Sequence, residues 1–565
     1  MSIEKLNIDR RTFVKGLAVS TLLATLPLGA KASTPTIDTT HELYGREFFL
    51  TIDKTAVNLT GSPAIATTVN GQISGPTLHW QEGDRVTIHV TNRLDVDSSI
   101  HWHGIILPTE MDGVPSLSFE GIKPQETFTY SFTVKQSGTY WYHSHSGFQE
   151  QSGVYGSIVI KPKTKEPFEY DRDYVIQLSD WSDEKPESIY RKLKLMGDYY
   201  NFKQRTVGDF FSEVREKGFG NAFGDRKMWS EMRMSDRDLS DVTGYTYTYL
   251  INGANPSTHY KALFKKGEKI RLRFINSSAM TFFDVRIPNL KMTVVATDGQ
   301  NIHPVTVDEF RIGVAETYDV IVEPQESKAY ALFAQSLDRS GYAVGSLTPS
   351  LSEVAQIPEM DALPILSHAD MGMNMSKMGG MKMSKKGKMP MKKSIPITPL
   401  PMATGLQSTM KAMSPQYRLS DAGAGLRDNG RRVLVYGDLQ SLDGVADKRP
   451  PEREIILHLT GNMERYMWSI NGIKYADAKP LEFHYGERLR VTYINDTMMN
   501  HPMHLHGMWS DLETGDGRLA RKHTIVVQPG AKISMQVTVD ARGRWAFHCH
   551  MLYHMGGMFR EVVVA

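Results

Sequence analysis

Four short histidine runs carry the chemistry legible in this sequence. His101-Trp102-His103-Gly104 and His143-Ser144-His145 lie in its first third, and His504-Leu505-His506-Gly507 and His548-Cys549-His550 lie near its end. With His501 and His554 they account for ten of the 19 histidines. Residues i and i+2 of a strand point to the same face, so each His-x-His run offers two imidazoles on one side. Four such pairs can surround a small group of metal ions. Imidazole alone does not choose among copper, zinc, iron and nickel. The chain's single cysteine narrows the choice: Cys549 sits between His548 and His550, after His501 and ahead of His554 and Met558. One thiolate, two imidazoles and a weak thioether form the ligand set of a blue-copper electron-transfer site. Ser144 stands where the first half would need its own cysteine, so there is material for one such site.

A lone His-x-His run, or a lone buried cysteine, is more often simple packing. What separates these runs from packing is a repeat. Val69-Asn70-Gly71, Gly83 and Asn92 recur as Ile251-Asn252-Gly253, Gly267 and Asn276, and again as Ile470-Asn471-Gly472, Gly486 and Asn495. Between the second glycine and the last asparagine apolar and polar residues alternate, which predicts a half-buried strand. The first histidine run follows at the same offset in copies one and three. Copy two has Asp284-Val285-Arg286 there, and Phe333-Ala334-Gln335 in place of the second run. The expected architecture is all-β: three related Greek-key β-sandwich domains over about 41–165, 166–345 and 416–565, the middle one a spacer. Residues 185–240 interrupt the second with charged, helix-compatible stretches at Arg191–Tyr199 and Asp209–Lys217. Residues 346–415 are rich in Met, Lys and Pro without periodicity and read as a linker or surface loop.

Composition excludes several classes. The 565 residues are 40% hydrophobic and 23% charged, an ordinary globular balance. Lys+Arg 65 against Asp+Glu 63 leaves a net charge of +2, which does not suit nucleic acid as the main partner. One cysteine rules out a disulfide scaffold, and no apolar run reaches the roughly 20 residues of a membrane span. Residues 1–32 read as a twin-arginine signal: Arg10-Arg11-Thr12-Phe13, an apolar stretch from Gly16 to Leu28, and Ala30-Lys31-Ala32 as a cleavage site. The expected location is the periplasm, without a stable membrane anchor, and the expected state is a monomer.

The four runs and the repeat resemble the multicopper oxidase family over all three domains. Met232-Arg233-Met234, Asp241–Tyr249 and Asn495–Leu512 resemble its bacterial copper-resistance branch. The resemblance implies cupredoxin-like domains, four copper ions, and oxidation of Cu(I) or of phenols coupled to reduction of O2 to water. It implies type 1 ligands His501, Cys549 and His554, and type 2 ligands His101 and His504. The type 3 pair would be held by His103, His143, His145, His506, His548 and His550. Because Cys549 is covalently adjacent to His548 and His550, electrons have a short path to the type 3 ions. The family's axial methionine usually stands five residues past the last type 1 histidine. Met558 is four past His554, so either a shortened loop still delivers Met558 or the site has no close axial ligand. Asp112 matches an acidic position associated with proton delivery, and Met111-Asp112-Gly113 equally suits a plain turn.

For the donor, Asp496, Met498 and Met499 just before His501 suggest a docking site for Cu(I), since soft thioethers favour that ion. Met371, Met373, Met375, Met378, Met381, Met383, Met389 and Met391 suggest copper capture in the loop, though the lysines among them oppose it. The competing expectations are a laccase-like oxidase of phenolic compounds, a copper-sequestering protein and a copper-free scaffold.

Overall fold

The computed structural model describes residues 42–373 and 395–565. The signal segment, together with Met375, Met378, Met381, Met383, Met389 and Met391, lies outside these residues. Strands dominate, and three two-sheet sandwiches follow one another. The first pairs a five-stranded with a four-stranded sheet. The second pairs six strands with five, and the third seven with five. No helix among the described residues is long and apolar enough to cross a membrane.

Each part of the repeated frame has the same structural task in all three copies. Asn70, Asn252 and Asn471 take φ of 53°, 48° and 53°, and the following glycines are also left-handed, at 79°, 76° and 71°. Two consecutive residues with positive φ make the tight hairpin turn whose twist suits flanking strands. The asparagine side chain also accepts the backbone N–H of Thr51, Gln177 or His458, at 2.7, 2.6 and 2.7 Å. The next strands are Arg85–Asn92, Ile270–Asn276 and Arg488–Asn495. Each ends on a buried asparagine whose amide donates to two carbonyls: Val96 and Ile122, Thr281 and Ile312, or Met499 and Val527. Its oxygen accepts the N–H of Leu94, Ser278 or Thr497. In the outer domains that amide therefore pins the loop leading into the first histidine strand. Replacing Asn495 by alanine leaves these buried groups unpaired, at about 1–3 kcal/mol each. The expected result is a loss of about 3 kcal/mol in denaturant unfolding of the metal-free protein; a change under about 0.5 kcal/mol would mean the loop holds itself.

The half-buried strand is found in copy one, whose exposure alternates, but not in copy two, where every residue from Ile270 to Asn276 is buried. The polar face of that strand is covered by the first domain. Arg273 donates to Thr139 Oγ1 at 2.9 Å, Thr139 donates to Asp319 at 2.9 Å, and Arg271 pairs with Asp319 at 2.6 Å.

The insertion holds three helices, Pro186–Leu195, Val207–Lys217 and Phe219–Glu231. The second matches expectation and starts at a capping box, with Asp209 N–H donating to Thr206 Oγ1 at 3.1 Å and Thr206 N–H to Asp209 at 2.7 Å. The first stops short of Tyr199, because Gly197 packs directly on the Met463 carbonyl. The third was hidden by Gly218, Gly220 and Gly224, which argue against a helix. The 346–415 segment begins inside a strand, since the last strand of the second domain runs to Thr348. Its described ends are pinned: Leu366 N–H donates to Asp236 O, and Asp370 pairs with Arg418 and Arg427 at 2.7 and 2.5 Å.

Candidate metal centre

Paired strands set the histidines opposite one another. In the first domain His101–His103 runs antiparallel to Gly138–His143, with His101 opposite His143. In the third, His501–Leu505 runs antiparallel to Gly543–Cys549, with His504 opposite His548 and Met503 opposite Cys549. The corresponding register of the middle domain sets Asp284 opposite Gln335, and Arg311 and Arg339 bind Asp284 at 2.7 Å each. The glycine closing each His-x-His-Gly run is required by contact. A Cβ on Gly104 would lie 2.4 Å from the His523 ring, and one on Gly507 2.4 Å from Trp545.

The first and third domains meet along these strands. Ring nitrogens within 4.8 Å of one another group as His101 with His143 and His145, His101 with His103 and His504, His103 with His143 and His550, and His145 with His506 and His548. His506 Nε2 lies 3.0 Å from His548 Nε2, and His143 Nε2 3.3 Å from His550 Nε2. The opposite nitrogens are anchored. His101 Nδ1 donates to the Asp112 carbonyl at 2.7 Å, and His506 Nδ1 to Asp112 Oδ2 at 2.9 Å. His504 Nδ1 donates to the His523 carbonyl at 2.7 Å, and His143 Nδ1 lies 2.7 Å from Glu150 Oε2.

A second cluster gathers around Cys549, which strand alternation turns to the face opposite His548. His501 Nδ1 and His554 Nδ1 are 3.5 and 3.8 Å from Cys549 Sγ and 3.3 Å from each other. Their Nε2 atoms are held by Thr497 Oγ1 at 2.7 Å and Asp241 Oδ2 at 2.6 Å. Trp468 stacks on His554 with ring centres 3.9 Å apart. Met558 is fully buried beside the cluster, its carbonyl accepting the Cys549 N–H at 3.0 Å.

These residues suit metal ions. His101 Nε2, His103 Nδ1, His145 Nε2, His504 Nε2 and His550 Nδ1 are buried without a hydrogen-bond partner among the described residues. An orphaned buried nitrogen is costly unless something binds it. Burial, reinforced by neighbouring imidazoles, holds His103, His143, His145, His504, His506 and His550 far below the usual histidine range, and His548 at about 4. The rings are therefore neutral, as ligands must be. Burial pushes the Cys549 thiol up, so a thiolate forms there only against a cation.

Glu150, Asp298 and His523 carried no signal in the sequence, and Asp241 only as the first residue of the Asp241–Tyr249 stretch. Glu150 reaches His143 from within its own domain. Asp241 and Asp298 come from the middle domain, which is thereby more than a spacer. Asp298 Oδ2 accepts the N–H of both His523 and Thr524 at 3.1 Å and pairs with the fully buried Lys522 at 3.0 Å. His523, a lone histidine outside the paired runs, packs against His103 and His504.

The residues expected to dock Cu(I) beside His501 are all buried. Asp496 is buried, one oxygen accepting the Ala412 N–H at 2.8 Å and the other paired with His458 Nδ1 at 2.7 Å. Met498 and Met499 are each 1% exposed and belong to the core. This group fastens the returning end of the 346–415 segment instead of opening to solvent. Met371 is buried and Met373 half-buried against the same core. A cleft of about 650 Å³ opens elsewhere, between the helical insertion and the third domain. Met196, Met234 and Met463 line it with Asp198, Asp238 and Glu464 and with Arg205, Arg226 and Arg233, the last paired with Glu464 at 2.7 Å. Directly beneath, Tyr466 donates to Asp241 at 3.2 Å, and Asp241 holds His554. Burial raises Asp241 to about 7; burial and the Asp241 charge raise Asp238 to about 8.

Models of multicopper oxidase domains match residues 51–165, 172–349 and 448–565. The chain is 54% identical to Copper resistance protein A of Escherichia coli, over 99% of both chains. It is 31% identical to the multicopper oxidase MmcO of Mycobacterium tuberculosis, over 87% of this chain and 82% of that one. In fold it is similar to Fet3p, described as a multicopper oxidase that functions in iron import, with a TM-score of 0.65 and 19% identity over 92% of this chain and 90% of that one. The chain belongs to the multicopper oxidase family.

Proposed function

We propose that this oxidase takes single electrons from Cu(I) and reduces O2 to water in copper resistance, acting in the periplasm after export through the twin-arginine pathway. The resistance role is supported by likeness to Copper resistance protein A. In this reading His501, Cys549 and His554, with Met558 alongside, hold the type 1 ion. His101 and His504 hold the type 2 ion, and His103, His143, His145, His506, His548 and His550 hold the type 3 pair. Four copper ions, when bound, would supply the redox chemistry: each cycles by one electron, so together they would hold the four electrons that O2 requires.

The chain's own part is to position, insulate and connect. Cys549 is flanked by His548 and His550, so the peptide between them is a continuous covalent link from one cluster to the other. Asp112, buried between His101 and His506, is the acid assigned to pass protons inward. Buried Trp141, stacked on His143, and buried Trp468, stacked on His554, keep bulk water from the two clusters.

The observation that carries the donor assignment is the cleft above Asp241 and His554. Thioethers select Cu(I), and carboxylates attract either copper ion. Changing Met196, Met234 and Met463 together to leucine is expected to raise the Cu(I) concentration for half-maximal oxygen uptake about tenfold, roughly 1.4 kcal/mol of donor affinity. The value for a phenol should stay unchanged. Equal effects on both donors would overturn the cleft as a cuprous site and favour a phenol oxidase.

A further inference from the structure

His523 is only 2% exposed, and its Nε2 has no hydrogen-bond partner among the described residues. Its Nδ1 lies 3.2 Å from His103 Nε2 and 3.1 Å from Thr524 Oγ1. The Cδ2–Nε2 edge of the ring lies against Gly104, where no other residue fits. His523 also borders a cavity shared with His101, His504, His506, Gly104 and Trp509. About 10 Å³ of it is open to the centre of a water-sized sphere, room for one small ligand.

Hydrogen-bond logic places the proton. A neutral imidazole carries one N–H. With His103 Nδ1 left free on the metal side, the His103 proton sits on Nε2. The His103 N–H faces both His523 Nδ1 and Thr524 Oγ1, each at 3.2 Å, and with the Thr524 hydroxyl turning its own hydrogen to His523 Nδ1, that nitrogen accepts. Its own proton is therefore on Nε2, at the edge bordering Gly104 and the cavity. The backbone that carries the ring is fixed from the middle domain by Asp298, which accepts the His523 N–H and pairs with the neighbouring Lys522.

We propose that His523 Nε2–H binds the small oxygen or anionic ligand, water, hydroxide or azide, that occupies the cavity beside His101 and His504. This rests on the ligand assignment above. His523 is then a positioning residue, a ninth imidazole at the three-ion site that holds an exchangeable ligand instead of a metal ion.

The test titrates the fully loaded protein with azide and follows the paramagnetic resonance of the type 2 copper. In His523→Phe, four coppers should remain while the azide concentration for half-saturation rises about tenfold, as for one lost hydrogen bond. His523→Gln, whose amide still donates, should stay close to the parent. Unchanged azide binding in His523→Phe would reduce the ring to packing and overturn the proposal. Loss of the type 2 signal together with one copper would make the ring a metal ligand and overturn it equally. If His523→Phe does not fold, His523→Ala is judged by the same outcomes. A parent protein without a type 2 signal would instead sink the ligand assignment.

Discussion

Cys549→Ser is expected to give a folded protein that binds three coppers, has no blue colour and takes up oxygen only at background rate with any donor. The reasoning is local. Cys549 is the chain's single sulfhydryl, it is fully buried, and both imidazoles of its cluster turn Nδ1 toward the sulfur. Serine is nearly the same size, so the strand pairing with Met503 survives. A serine hydroxyl does not ionise at neutral pH and is a poor ligand for Cu(I), so the single-electron entry is lost while the other cluster stays intact. Metal analysis, the visible spectrum and oxygen uptake check this together. A variant that kept its colour, or its fourth copper with full turnover, would place the entry site elsewhere.

Asp112→Ala should lower copper affinity at the three-ion site, or turnover, by about 10–100-fold. The side chain orients His506 from the third domain, whereas His101 is held by the backbone carbonyl, which alanine keeps, so the loss falls on the His506 side of the interface. Asp112→Asn keeps an acceptor for His506 and separates two roles. If Asn restores metal content but not turnover, the carboxyl group is needed to pass protons. If Asn restores both, Asp112 only orients rings. The blue site, anchored through Thr497 and Asp241, should remain unchanged in either variant.

What the sequence made legible follows from local physics. The Asn-Gly turn, the strand and its closing asparagine each satisfy nearby backbone groups, so they repeat as a pattern in all three domains. The His-x-His runs are legible because strand geometry alone puts both rings on one face. Asp241, Asp298, Glu150 and His523 act through partners that no local period links to them, and each reads alone as an ordinary buried polar residue. The third helix of the insertion was masked by glycines that tertiary contacts outweigh, its own Ala222 and Trp229 being buried. Asp496 shows the opposite relation. It has the residue type and neighbours of a metal site, but Ala412 and His458 already occupy its two oxygens.

His143 and His550 stand 407 positions apart in the chain yet bring their nitrogens within 3.3 Å. Under the proposed ligand assignment, ions held by both ends would act as a staple on a very long loop, and such a closure removes conformational freedom chiefly from the unfolded chain. Because they bind the assembled state alone, each adds resistance to unfolding in proportion to its saturation. Copper scarcity therefore does more than idle the catalyst: it loosens the seam between its terminal modules, and durability rises with the very metal the molecule exists to manage.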